Sequence, residues 1–72
     1  MMNTNYAPEI ATANQFVIDH KYDIKLQVML REAADSKYSH SERWSMIYDY
    51  IIENYPGATG TVVTGLAYWC EK

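Results

Sequence analysis

The sequence predicts a small all-α protein, a bundle of three to four short helices. Three observations carry that prediction. Ser39 and Glu42 stand at capping-box spacing ahead of an apolar stripe that Pro56-Gly57 closes. Pro8-Glu9 opens an earlier stripe. And 72 residues that are 49% apolar can build one core, provided that it is dense or helped by assembly into a homo-oligomer. The helices are expected at about 7–20, 23–35 and 40–54, with a fourth over 60–70, in one domain spanning 1–72.

Residues 1–6 are polar apart from Tyr6 and are expected to fray. In the first helix Pro8 has no N–H to leave orphaned, and Glu9 suits the positive end of the dipole. Ile10, Ala13 and Val17 then form a stripe with Phe16 and His20 beside it. His20 falls at the helix C-terminus, where an imidazole is favourable.

Asp23 can cap the second helix. Its opening, Ile24 to Leu30, alternates apolar and polar residues at strand period, Met29 excepted. Strong helix formers and the face Leu26, Met29, Leu30, Ala33, Ala34 favour helix instead. The stretch 61–68 is likewise ambiguous, since Thr, Val and Gly lower its helix propensity. A lone strand is not viable, so the two segments are coupled. The alternative to an all-α bundle is therefore α+β, with strands 24–30 and 61–68 paired and two helices packed on them.

Between them lies the third helix, after a polar loop over 36–40. Ser39 or Ser41 caps it. Trp44, Ile47, Tyr48, Ile51 and Tyr55 recur at helical spacing and are expected to face the core, with Ile52 at the margin. Trp44, Ile47, Ile51, Val17 and Leu30 are the expected core centre. Glu42, Ser45, Asp49 and Glu53 form a solvated acidic lane, flanked by Met46 and Tyr50, which the stripe does not require.

Net charge is −3, from six basic and nine acidic residues scattered along the chain. No basic run could neutralise several phosphates, and no acidic run mimics a nucleic-acid backbone. One cysteine, Cys70, excludes an internal disulfide, and as a lone residue beside Trp69 it reads as a small core side chain. The N-terminus has neither the basic nor the apolar region of a secretory signal, and no segment approaches membrane-helix length, so a soluble cytoplasmic protein is expected.

Chemistry finds little purchase. His20, His40 and Cys70 are isolated, without metal-ligand spacing. A Cys70–His pair lacks an oxyanion-hole motif. Asp49 and Glu53 at helical spacing are solvated carboxylates rather than an acid–base pair. GATG and TGTVVTG do not make a phosphate loop. No catalytic residue, cofactor or metal is expected.

The expectation is a small non-enzymatic module that binds another protein, a regulator or inhibitor of a larger machine of the sort that bacteriophages and mobile elements encode. Seven tyrosines and two tryptophans against one phenylalanine fit an interface. The expected contact residues are Met46, Tyr50, Arg43, Asp49 and Glu53, extended by Tyr38 and His40. One alternative is a helix–turn–helix DNA-binding protein built from 24–35, 36–40 and 41–54, whose acidic recognition helix phosphates would repel. Another is a self-assembling structural protein.

Overall fold

A computed structural model describes residues 7–58 and 60–71. The described residues form α1 (Ala7–Asp19), α2 (Ile24–Ala33), α3 (His40–Asn54) and α4 (Gly60–Cys70), and no strand. The all-α expectation holds and the paired-strand alternative does not. The expected fraying of 1–6 lies outside the described residues.

Local chemistry sets the element boundaries. The Asp23 carboxylate accepts the Leu26 N–H (3.0 Å) and caps α2. At α3 the capping box is complete. The Glu42 N–H donates to Ser39 Oγ (3.1 Å) and the Ser39 N–H donates to Glu42 Oε1 (2.8 Å), which makes Ser39 rather than Ser41 the cap. Tyr55, restricted by the proline that follows it, leaves the helical region and ends α3.

α4 is the hub of the bundle. It contacts all three other helices and packs most extensively on α1. Val62, Val63, Gly65, Leu66, Ala67 and Cys70 are all buried, so α4 is apolar almost all round, as a central helix must be. Around it stand Ala13 of α1, Leu26, Leu30 and Ala33 of α2, and Ile47 and Ile51 of α3. Trp44 and Val17, expected at the core centre, are half-buried at its edge. The Trp44 indole N–H donates to the Thr64 hydroxyl (3.3 Å), which fastens α3 to α4.

Gly65 explains why α4 looks like a strand in sequence. A Cβ there would lie 2.7 Å from the Glu9 carbonyl carbon, inside contact with its oxygen, and 3.0 Å from the Ala13 Cβ. The glycine is the close approach of α1 to α4, and its weak helix propensity is offset by that packing. In α2 the alternation that suggested a strand also has a plain origin. Ile24 and Val28 face solvent, while Leu26, Leu30 and Ala33 face the core.

Candidate functional site

α3 carries most of the residues expected to bind a partner, and its orientation decides which are available. The buried face runs through Arg43, Ile47 and Ile51. It is rotated roughly 60° from the expected stripe at 100° per residue. Tyr48, expected inside, is 40% exposed, and Ile52 beside it is 51% exposed. Met46 and Tyr50, expected to be spare, are half-buried and pack against the core.

Two polar anchors cause the rotation. The first is Arg43, 6% exposed. Its Nε donates to the Ala33 carbonyl (2.5 Å), and Nη2 donates to the carbonyls of Asp35 and Tyr38 (both 3.1 Å). Its Nη1 donates to Glu71 Oε2 (3.1 Å). The guanidinium thus collects the free carbonyls at the end of α2 and in the following loop, and ties them to the end of α4. Four of its five N–H donors are engaged within the fold.

His40 and Tyr38 belong to the same corner. His40 Nδ1 lies 2.5 Å from the Glu71 oxygen that also receives Arg43, and the imidazole rests against Tyr68 (4.6 Å between centroids). The Tyr38 hydroxyl donates to Glu32 (2.7 Å). That bond, more than the nearby Lys37, holds the Glu32 carboxyl below its ordinary range, and it pushes the Tyr38 hydroxyl up.

The second anchor is Asp23. Besides the Leu26 N–H, its carboxylate accepts the hydroxyls of Tyr50 (3.3 Å to each oxygen) and, at close range, Tyr55. The Tyr55 hydroxyl and the Leu26 N–H hold Asp23 below its ordinary range. Reciprocally, the carboxylate drives Tyr55 up to about 12. Tyr55 also meets His20 and Phe16 edge-on, at 4.7 and 5.3 Å between centroids. This cluster joins the α1–α2 corner to the end of α3.

Asp49 and Glu53 are what remains. Both are exposed, four residues apart, and neither side chain makes a hydrogen bond or ion pair among the described residues. Apart from Glu9, every other described carboxylate is engaged. The pair is locally unfavourable twice over. Like charges at that spacing repel, and Glu53 sits at the negative end of the α3 dipole.

Beside this pair lies an apolar hollow of about 30 Å³ between the end of α3 and the start of α4. Tyr48, Ile51, Ile52, Pro56, Ala58, Gly60 and Val63 line it. The Trp44 and Tyr48 rings stack next to it (5.2 Å, 10° between planes). A second, wider hollow of about 280 Å³ lies between α2 and α4, over Gln27, Leu30, Arg31, Ala34 and Trp69. Among the described residues that line it, Arg31 is the only charge.

The seven expected contact residues therefore separate into three places. Arg43, Tyr38 and His40 build the α2–α3–α4 corner. Met46 and Tyr50 turn toward the core. Asp49 and Glu53 stay outside, joined by Tyr48, which the sequence stripe had placed inward, and by Ile52, placed at its margin.

Cys70 is buried, with its thiol against the Leu30 carbonyl (3.6 Å), and burial pushes that thiol up to about 11. It is protonated at neutral pH and packs as a core side chain. Among the described residues no group of three or more His, Cys, Asp or Glu could hold a metal, and no helix is long and apolar enough to cross a membrane. The chain matches no protein-family model, no curated protein and no solved structure.

Proposed function

We propose that this chain is a non-enzymatic module that binds a larger protein and regulates or inhibits it, with the outward face of the second half of α3 as its contact surface. The observation that carries this reading is the unpaired Asp49–Glu53 couple standing beside exposed Tyr48 and Ile52. The two carboxylates repel each other along the helix and make no hydrogen bond or ion pair in return among the described residues. Local rules broken without internal compensation are expected at functional surfaces. Apolar side chains rimmed by charge are the usual make-up of a protein interface.

The DNA-binding alternative draws no support from the same face. Glu42, Asp49 and Glu53 are its exposed charges, and Arg43, the one α3 cation that could meet phosphate, is buried in the loop corner.

Affinity capture from lysate of the native host tests the proposal. The chain should retain a partner that an Asp49→Lys/Glu53→Lys variant loses. Equal retention by both forms, or none by either, would contradict it.

A further inference from the structure

We infer that the hollow between the end of α3 and the start of α4 receives a basic amphipathic helix of the partner. The inference rests on the protein-binding reading above and adds the chemistry of the occupant.

The floor of the hollow is apolar. Ile51, Pro56, Ala58 and Val63 line it, and Tyr48 and Ile52 form the rim. At about 30 Å³ it has room for the tip of one aliphatic side chain, not for a small-molecule ligand. Tyr48 and Ile52 are one helical turn apart, so they offer a ridge about 6 Å long. A second helix with apolar residues at the same spacing matches that ridge. A peptide that binds by adding a strand would need a sheet edge to pair with, and the described residues contain no strand. Recognition here runs through side chains, which is the helix-in-groove mode.

Charge specifies the rest. Asp49 lies three residues before Ile52 and borders the ridge on its solvent side, and Glu53, four residues on from Asp49, extends the acidic edge away from it. Neither has a partner among the described residues. A lysine or arginine flanking the anchor would relieve the repulsion between them. An acidic flank would add to it, which makes the same pair a filter against acidic partners. The wider hollow between α2 and α4 lacks this signature, and nothing in the structure shows what would cover it.

The probe is a synthetic amphipathic helix with a leucine stripe flanked by lysines, titrated into the ¹⁵N-labelled chain and followed by amide shifts. Its counterpart has glutamates in place of the lysines. The basic peptide should shift Tyr48, Ile52, Ala58, Gly60 and Val63, and should weaken as salt rises. Asp49→Lys/Glu53→Lys should weaken it about tenfold, the loss expected from two rim charge pairs. Ile52→Glu should abolish it. All three positions are exposed, so the variants should keep the wild-type spectrum elsewhere.

Equal binding of the acidic peptide, or shifts confined to other faces, overturns the inference. Shifts at the hollow that grow with the chain's own concentration also overturn it, by making a second copy the occupant. A captured native partner that Ile52→Glu still retains would overturn this inference and leave the binding module standing elsewhere. Neither peptide binding nor partner capture by any form would overturn both.

Discussion

The two ends of α3 use their polar residues in opposite ways. At the N-terminal end every polar group that can bridge elements does so. Ser39 and Glu42 close the cap, Arg43 gathers three backbone carbonyls, and His40 shares Glu71 with it. In the C-terminal half the outward acids, Asp49 and Glu53, make no hydrogen bond or ion pair among the described residues, and Glu53 opposes the helix dipole. A charge alone therefore says little about function. What separates the two ends is whether the charge has an internal partner.

Removing the partnered end should have the largest effect. Arg43→Met keeps the bulk but leaves the Ala33, Asp35 and Tyr38 carbonyls and Glu71 without their donor. It should cost roughly 3 kcal/mol or somewhat more, mostly from the carbonyls left unpaired because Glu71 is partly exposed and keeps His40, and lower the urea midpoint accordingly. Arg43→Lys should rescue little, since one ammonium cannot reproduce the fork.

Both ends rest on α4, so the next largest effect lies at its contact with α1. Gly65→Ala drives a methyl group into the Glu9 carbonyl, and backbone cannot yield as a flexible side chain can. A loss of about 2–3 kcal/mol is expected from such overpacking. On a chain of this size that lowers the melting temperature by roughly 10–20 °C.

The inward side of the C-terminal half should respond to pH from both directions. Asp23 titrates below its ordinary 3.8, so its contribution is complete above that value and is lost as pH falls through the lowered pKa. Tyr55 titrates at about 12 instead of 10.0, so its contribution is complete below 10.0 and is lost as pH rises toward about 12. Unfolding midpoints across pH should therefore fall at both extremes. Asp23→Asn should flatten the acid limb, and Tyr55→Phe should shrink the alkaline one, leaving the part that the Cys70 thiol, raised from 9.0 to about 11, contributes.

The helices were largely legible because their start and stop signals are local. Pro8-Glu9, Asp23, Ser39 with Glu42, and Pro56-Gly57 act within one turn of the boundaries they set. The rotation of α3 was not legible. It depends on Tyr50 and Tyr55 reaching Asp23, 27 and 32 residues away, and on Arg43 reaching Glu71, 28 away. An arginine next to an apolar stripe gives no sign that its partners are loop carbonyls. The acidic lane could be read from spacing alone. The hollow beside it could not, since Ala58, Gly60 and Val63 reach Tyr48 and Ile52 only once α4 has packed on α3.

The smallest expected shift tests the central claim most directly: that Asp49 and Glu53 serve a partner and not the fold. The measurement is the melting temperature of the Asp49→Lys/Glu53→Lys variant at low ionic strength. The two lysines still repel each other, so the gain comes from cations replacing acids toward the negative end of the α3 dipole, and should be roughly 0.3–1 kcal/mol. The melting temperature should then rise by a few degrees. A fall of several degrees would show that the pair contributes to folding and would contradict the account.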